Sequence, residues 1–211
     1  MPISGYILTA LGAYLLGSIP FGFLAAKAKG IDIRSVGSGN IGATNAMRVL
    51  GKPIGITVLL LDVLKGYVAC TWLVSLALKY FTISPEQVEP LQIVSGICAV
   101  LGHNYTCWLK FKGGKGIATT AGVYLALAPW ALLVALVVFI LAILFTKYVS
   151  VGSIFGAIAL AATVWIMSPN NLLLGIVTTA LGALAIYKHK SNIQRLMAGT
   201  ENRLGQKKET K

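Results

Sequence analysis

The chain has 211 residues, of which 56% are hydrophobic and only 11% are charged, and its formal net charge is +12. Soluble domains carry about 25% charged residues, so this composition excludes an ordinary soluble globule and indicates a chain embedded in a bilayer. We expect one membrane-embedded domain over residues 1–211 with a polar tail from about residue 188. The sequence predicts no metal site and no cofactor, because its cysteines form no C-x-x-C pair and it has no acidic cluster.

Seven apolar segments follow one another, and each is a candidate transmembrane helix because about 20 apolar residues cross a hydrocarbon core. The segments are Ile3–Ala26, Ile54–Leu78, Leu91–Leu109, Ile117–Pro129, Trp130–Phe145, Val151–Met167 and Leu172–Tyr187. Residues 117–145 as one helix would rise about 44 Å, more than a core of about 30 Å, so we divide them at Pro129. Both halves are then short, and full spanning by 117–129 and 130–145 stays open.

The basic residues predict how the chain is oriented. With seven crossings, 16 of the 18 lysines and arginines fall on one side of the membrane, and only Lys79 falls on the other. Basic residues collect on the cytoplasmic side, so we expect an outside N-terminus and a cytoplasmic C-terminus in an all-α membrane protein. This topology accounts for the net charge without a nucleic-acid partner.

The first cytoplasmic connection contains Gly37–Arg48, with the sequence GSGNIGATNAMR. Gly37, Gly39 and Gly42 let backbone N–H groups approach an anion closely. Arg48 adds a guanidinium fork that suits phosphate oxygens. The segment also contains four neutral polar side chains, those of Ser38, Asn40, Thr44 and Asn45. We expect this segment to bind a phosphate group at the membrane surface.

The third connection contains the glycine-rich sequence 112–116, KGGKG, which resembles half of a phosphate-binding loop. It lacks the first glycine and the preceding strand of a Walker A motif. The amides of Gly113 and Gly114 and the ammonium of Lys115 are nevertheless suited to a phosphate. The alternative interpretation is a short turn whose lysines only set the topology.

Further polar residues follow in the fifth connection and in the tail. Ser150 can donate to a ligand or cap the sixth helix. His189, Asn192 and Arg195 would share one face of a continuing helix. Nearby cations favour the neutral imidazole of His189, which makes it a candidate base; the alternative is an interfacial histidine bonded to a backbone carbonyl.

Three titratable residues lie inside the apolar segments. Asp62 and Lys65 are three positions apart in the second segment, so they either pair with each other or line the polar site. For His103 in the third segment, a hydrogen bond between helices is the favoured interpretation.

Together these residues resemble the bacterial acyl-phosphate:glycerol-3-phosphate acyltransferase family. The resemblance is carried by three blocks in order along the chain, with Leu61–Gly66 in support. The blocks are GSGNIGATNAMR at 37–48, LGHNYTCWLKFKGGKGIAT at 101–119 and HKSNIQRLMAGTENRLG at 189–205. The chain departs from the family at Thr106, where a proline is frequent, and at Lys188, where an arginine is usual.

The resemblance implies an enzyme of the bacterial cytoplasmic (inner) membrane that transfers a fatty acyl group from acyl phosphate to the 1-hydroxyl of glycerol 3-phosphate. The products are lysophosphatidic acid and phosphate. The 37–45 segment would hold the acyl-phosphate head, Lys115 and Arg48 would neutralise phosphate charge, and the 189–195 segment would bind glycerol 3-phosphate. The base is either His189 or a substrate phosphate oxygen. An organic-phosphate transporter is the alternative function, while the oligomeric state and acyl-chain preference stay open.

Overall fold

The structure is a computed structural model that describes residues 3–204. The predicted tail residues Lys207, Lys208 and Lys211, and Gly205 at the end of the third block, lie outside the described residues. Every α-helix or 3-10 helix reported below belongs to the described part, which contains no strand. The chain divides after Pro129 into two compact helical units. The single domain over 1–211 stays a prediction.

The helices follow the apolar segments closely. The first unit contains α1 (Ile3–Ser18), α2 (Phe21–Lys27), α3 (Ala43–Leu50), α4 (Lys52–Cys70), α5 (Trp72–Tyr80), α6 (Pro85–Asn104) and α7 (Ile117–Leu127), and a 3-10 turn at Cys107–Leu109. The second unit is formed by α8 (Pro129–Thr146), α9 (Val149–Met167), α10 (Leu172–Lys188) and α11 (Lys190–Met197). The described chain is therefore all-helical, as the sequence predicts.

Glycines allow two helix pairs of the first unit to pack with their backbones in contact. A Cβ atom on Gly17 of α1 or on Gly102 of α6 would overlap backbone atoms of the other helix. Gly66 of α4 and Gly122 of α7 meet each other's helices in the same way. Small residues at membrane helix crossings permit this close approach. One crossing therefore joins α1 to α6, and the other joins α4, which carries Asp62 and Lys65, to α7.

Four helices or helix pairs of the described chain are long and apolar enough to cross a membrane: Ile3–Lys27, Lys52–Tyr80, Pro129–Thr146 and Val149–Met167. A fifth crossing results if α10 and α11, which are bent by 52°, count together. Neither α6 nor α7 belongs to that set, because α6 contains too many polar residues and α7, with 11 residues, is too short. The protein is thus a multi-pass membrane protein, whereas seven spans and an outside N-terminus stay predictions.

One helix break agrees with the sequence expectation, and two further breaks do not. The predicted break is confirmed, because α7 ends at Leu127 and α8 begins at Pro129. The segment predicted as one helix over 3–26 is interrupted before Pro20, whose ring nitrogen has no N–H to donate to a helical carbonyl. The segment predicted over 54–78 is divided into α4 and α5 at Thr71, whose φ of −108° and ψ of −76° depart from the usual helical values, although its N–H still bonds the carbonyl of Tyr67.

Candidate active site

The side chain of Asn45 organises the loop that precedes α3. It is buried, and its amide nitrogen donates to the carbonyls of Ile33 (3.3 Å), Val36 (3.1 Å) and Asn40 (2.9 Å). Its Oδ1 accepts the N–H of Ser38 at 2.8 Å. These bonds use both donor hydrogens of the amide, so the structure supports a framework role for Asn45. Substrate binding by this side chain stays a prediction.

The predicted glycines serve the shape of the same loop. Gly37 and Gly39 have φ values of 63° and 71°, which residues with a Cβ rarely adopt. A Cβ on Gly37 would also overlap Oδ1 of Asn45. The N–H of Gly42 is already bonded, since it donates to Oδ1 of Asn40 at 2.8 Å. The loop therefore holds its shape through its own bonds, and phosphate binding by these backbone groups stays a prediction.

The exposed members of this loop are better placed for a ligand. Ser38, Thr44 and Arg48 are exposed, and Arg48 lies in the last turn of α3, the short helix that follows the loop. Nη1 of Arg48 donates to Oδ1 of Asn45 at 3.3 Å, which ties the guanidinium to the same framework residue. The structure thus brings Ser38, Asn45 and Arg48 together.

The glycine-rich connection 112–116 folds back onto the end of α6. The N–H of Gly113 donates to the carbonyl of Asn104 at 3.2 Å, and the N–H of Gly114 donates to that of His103 at 3.0 Å. These two amides are therefore engaged within the protein, which does not support their predicted use as phosphate donors. Lys115 follows them directly and is partly buried; phosphate binding by Lys115 stays a prediction.

A shared apolar cluster joins the first and third connections. Leu109, at the start of the third connection, is buried together with Ile33 and Ile41 of the first connection and with Ala46 of α3. Both predicted phosphate-binding segments therefore belong to the same end of the first unit. This agrees with the prediction that the two connections face the same side of the membrane.

Inside the first unit, the charges of the second apolar segment pair with each other. Nζ of Lys65 lies 2.8 Å from Oδ1 of Asp62, and both side chains are buried. Nδ1 of His103 lies 3.5 Å from the same carboxylate oxygen. The pairing interpretation is thus confirmed for Asp62 and Lys65, and His103 joins α6 to α4 as the helix-to-helix interpretation predicts.

In the second unit, the carboxylate of Glu201 gathers the predicted polar residues. It is buried after α11, and it accepts from Ser150 at 2.9 Å, from Asn192 at 2.6 Å and from Nε of Arg195 at 2.7 Å. Ser150, Asn192 and Arg195 therefore surround one negative charge. Burial of Glu201 opposes ionisation, but the hydrogen bonds from Asn192, Arg195 and Ser150 outweigh it and hold the pKa of the carboxyl below its usual value.

The segment around Glu201 is fastened to the connection between α8 and α9. The N–H of Leu204 donates to the carbonyl of Lys147 at 2.7 Å. Nε of Arg203 donates to the hydroxyl of Tyr148 at 3.1 Å, and its guanidinium lies over the Tyr148 ring. These contacts fix where Glu201 meets Ser150.

His189 lies at the bend between α10 and α11 and is only 2% exposed. Its Nδ1 is 2.7 Å from the carbonyl of Ala185. Because a carbonyl oxygen only accepts, Nδ1 carries the proton, and Nε2 is the acceptor nitrogen of the neutral ring. The bond to the Ala185 carbonyl agrees with the alternative interpretation of His189, and the helix does not continue unbent, since the chain bends there by 52°. Even so, Asn192 and Arg195 both face Glu201 from α11.

Sequence reasoning missed Glu201 and misjudged one alternative for Ser150. The residue before α9 is Tyr148, and Ser150 lies inside the first turn with its hydroxyl on Glu201, so it does not cap the helix. Glu201 lies between Arg195 and Arg203 in an otherwise basic stretch. An isolated acid among cations was the available signal. No group of three metal-ligating side chains occurs within residues 3–204.

Known proteins similar to this chain agree on one family. The glycerol-3-phosphate acyltransferase family model matches residues 7–199. A glycerol-3-phosphate acyltransferase of Desulforamulus reducens is 45% identical over 96% of each chain. The protein of the same name from Geobacter sulfurreducens is 47% identical, over 93% of this chain and 96% of its own.

Solved structures extend the similarity to the fold. A crystal structure of PlsY, an integral membrane glycerol 3-phosphate acyltransferase, in its glycerol 3-phosphate form superposes with a TM-score of 0.84. The sequences are 40% identical, and the match covers 95% of this chain and 96% of the other. The lysophosphatidic acid form of PlsY matches with a TM-score of 0.80 at the same identity. This chain therefore belongs to the glycerol-3-phosphate acyltransferase family.

Proposed function

We propose that this protein transfers a fatty acyl group from acyl phosphate to the 1-hydroxyl of glycerol 3-phosphate and releases lysophosphatidic acid and phosphate. The observation that carries the proposal is the 40% identity, over 95% of the chain, to a membrane acyltransferase solved in glycerol 3-phosphate and lysophosphatidic acid forms. An acyl phosphate suits this chain because the donor is already activated. The protein then has to supply mainly position and charge.

The first unit is proposed to hold the acyl-phosphate head. Ser38, Thr44 and Arg48 are exposed beside a loop that Asn45 keeps in shape, and Lys115 follows a glycine pair fastened to α6. A guanidinium and an ammonium together offset the charge of a phosphate group. The acyl chain then stays among apolar helices while the head meets the polar connections.

The second unit is proposed to hold glycerol 3-phosphate through His189, Asn192 and Arg195, with Ser150 beside them. Nε of Arg195 is occupied by Glu201, while the guanidinium carries further N–H donors that suit phosphate. Asn192 and Ser150 are oriented by the same carboxylate. Glu201 is therefore proposed to position these residues, and it does not itself bind the anion, because like charges repel.

The proposed transfer needs no covalent enzyme intermediate. The 1-hydroxyl oxygen attacks the acyl carbonyl carbon, a C–O bond forms, and the bond from that carbon to the phosphate oxygen breaks. The hydroxyl proton passes to an oxygen of the acyl-phosphate group, which leaves as phosphate. His189 is proposed to bind and orient the acceptor, because its ring is buried and held at the helix bend.

The proposed location is the bacterial cytoplasmic membrane, with seven spans, an outside N-terminus and both substrates on the cytoplasmic face. The asymmetric distribution of lysines and arginines supports this orientation. The common apolar cluster beneath the first and third connections supports their shared side.

The proposal is tested with purified protein in detergent micelles, acyl phosphate and labelled glycerol 3-phosphate. We expect labelled lysophosphatidic acid with acyl phosphate, and none when acyl-CoA replaces it. Micelles have no sealed compartment, so product formation excludes a pure organic-phosphate transporter. Absence of product with every acyl donor contradicts the proposed activity, and product from acyl-CoA alone contradicts the proposed donor.

A further inference from the structure

A buried cluster of three titratable side chains lies in the first unit, apart from the residues proposed to contact substrate. The side chains of Lys65, Asp62 and His103 are 1%, 3% and 6% exposed, respectively. One carboxylate oxygen of Asp62 lies 2.8 Å from Nζ of Lys65 and 3.5 Å from Nδ1 of His103. The cluster therefore links α4 to the end of α6.

The same cluster reaches the break between α1 and α2. Nζ of Lys65 donates to the carbonyl of Ile19 at 3.0 Å. It also lies 5.5 Å from the centre of the Phe21 ring, at the start of α2, within the range of a cation–π contact. Three helices, α2, α4 and α6, and the break between α1 and α2 thus contact one buried ammonium and its carboxylate partner.

His103 carries this link to the glycine-rich connection. A Cβ on Gly114 would overlap Nε2 of the His103 ring, so the backbone of Gly114 lies directly against the imidazole. The carbonyl of His103 accepts the N–H of Gly114 at 3.0 Å. Lys115 is the next residue. The backbone just before Lys115 therefore lies against Nε2 of an imidazole whose other nitrogen, Nδ1, lies beside Asp62.

We infer that Asp62, Lys65 and His103 are positioning residues that act together to place Lys115. The ion pair orients the imidazole, the imidazole supports Gly114, and Gly114 sets where Lys115 presents its ammonium. None of the three touches substrate. This inference rests on the proposed function, in which Lys115 neutralises a substrate phosphate.

A role in position accounts for the cluster better than a role in stability alone. Replacing a buried ion pair by apolar residues of similar volume is often neutral or stabilising. A lysine displaced from a substrate phosphate, in contrast, loses part of its charge attraction to that phosphate, so the substrate binds more weakly. Buried charges in contact with the glycine-rich connection that carries Lys115 are therefore better explained by a role in placing this lysine.

The first experiment compares His103→Ala with Lys115→Ala in the micelle assay while each substrate is varied separately. We expect Lys115→Ala to raise KM for one of the two phosphate substrates. His103→Ala should raise KM for that same substrate about tenfold and change kcat by less than about threefold. The KM of the double variant for that substrate should be little higher than the KM of Lys115→Ala. Unchanged KM in folded His103→Ala, or an effect on the other substrate, overturns the inference.

The second experiment tests the contact between the ring and the glycine. Gly114→Ala should raise KM because its methyl group meets the imidazole. In Gly114→Ala with His103→Ala, the shortened side chain makes room, so the combined rise should be smaller than the product of the single rises. Gly182→Ala is the control, since its Cβ would lie 3.5 Å from the Ala157 carbonyl oxygen, an ordinary contact. Independent effects at 103 and 114 contradict the proposed contact.

The third experiment removes both charges at once, because one charge left alone in the interior is costly. Asp62→Asn with Lys65→Met should remain monodisperse in detergent and should raise KM for the same substrate as His103→Ala. Adding His103→Ala to this double variant should change that KM little further. A wild-type KM in the charge-free variant excludes the ion pair from the positioning role.

A labelling measurement separates this inference from the proposed activity. In Lys115→Cys, with Cys70, Cys98 and Cys107 replaced by alanine, adding His103→Ala should increase the rate of maleimide modification severalfold. Wild-type protein that forms no lysophosphatidic acid contradicts the activity, whatever the labelling shows. If the wild-type protein turns over normally and His103→Ala leaves the labelling rate of Lys115→Cys unchanged, the positioning role is contradicted and the proposed activity is not.

Discussion

Glu201 is the residue at which distant parts of the second unit meet. Its carboxylate accepts bonds from α9 through Ser150 and from α11 through Asn192 and Arg195. Each donor would lose a buried partner if the carboxylate were removed. A lost bond to a charged group costs about 1.5–3 kcal/mol, so this residue matters more to the second unit than an exposed ion pair does.

We predict that Glu201→Gln makes the stability of the protein less sensitive to acid. The folded pKa of this carboxyl lies below its ordinary value of 4.5, so the unfolded chain binds the proton more readily. The stabilisation is then fully present above that value and is lost as the pH falls through the folded pKa. The thermal midpoint of Glu201→Gln in detergent should lie below that of the wild type at about pH 7, and this difference should shrink as the pH falls through the folded pKa.

Glu89→Gln is the control for this prediction, since it removes one carboxylate at an exposed position of α6. Its thermal midpoint should follow the wild type at neutral pH. If Glu201→Gln lowers the thermal midpoint by the same amount at every pH, the shape of the Glu201 side chain and not its ionisation accounts for its role.

We predict that His189→Gln affects binding more than turnover. The imidazole is buried at the bend, and its Nδ1 donates to Ala185 at 2.7 Å, so the ring is held as an orienting group. Steady-state kinetics should show KM for glycerol 3-phosphate raised about tenfold and kcat changed by less than about threefold. The exposed neighbour Gln194→Ala serves as control. A kcat reduced about 100-fold or more at unchanged KM would instead identify His189 as the base.

Among the elements, the crossing of α4 and α7 depends on glycine. A Cβ on Gly122 would overlap the carbonyl of Val63, so the helices cannot keep their separation once a side chain is present. We predict that Gly122→Ala destabilises the protein by about 1–3 kcal/mol, as overpacking does. Thermal unfolding monitored in detergent measures the loss.

Gly182→Ala provides the matched comparison for Gly122→Ala. Gly182 is also inside a helix, but its Cβ would be 3.5 Å from the Ala157 carbonyl, an ordinary contact. Alanine in a helix interior is favoured over glycine by about 1 kcal/mol, so this variant should keep or raise the thermal midpoint. Equal midpoints for the two variants would contradict the proposed importance of the close crossing.

The helix breaks show what sequence reasoning about these elements detects. The break at Pro129 was predictable because an unbroken 117–145 helix would be too long for a bilayer. The segments 3–26 and 54–78 are each about one bilayer long, so length gave no reason to divide them at Pro20 or Thr71. Thr71 is neither a proline nor a glycine, and the distortion of the helix at this residue is visible only in the structure.

At the scale of the whole molecule, the orientation can be tested by labelling. We predict that single cysteines at Ser38 and Lys112, in a variant without native cysteines, react with an impermeant maleimide in inverted vesicles and not in intact spheroplasts. A cysteine at Glu86 should react in spheroplasts, because it lies in an outside connection of the predicted topology. All three positions are exposed. Labelling of Ser38 and Lys112 from opposite sides would exclude a common phosphate-binding face.

The candidate site was predictable from the sequence in its residues and less so in their roles. Polar types and spacing identified the 37–48 and 189–195 segments. They did not distinguish Asn45, which holds its loop together, from exposed Ser38 beside it. Glu201 was missed because one of its three partners, Ser150, lies 51 residues away in the sequence. Partner choice follows from tertiary contact, which a linear pattern of residue types does not encode.

The spacing of Asp62 and Lys65 has a consequence for the assembly of the protein in the bilayer. A single charged side chain at the centre of an inserting helix costs about 2.5–3.5 kcal/mol. Here the opposite charges lie three positions apart on α4, 2.8 Å from each other, so each brings its counter-ion. The helix can enter hydrocarbon as an electrically neutral body before α6 has been synthesised. A pair divided between two helices would leave both charged until they met.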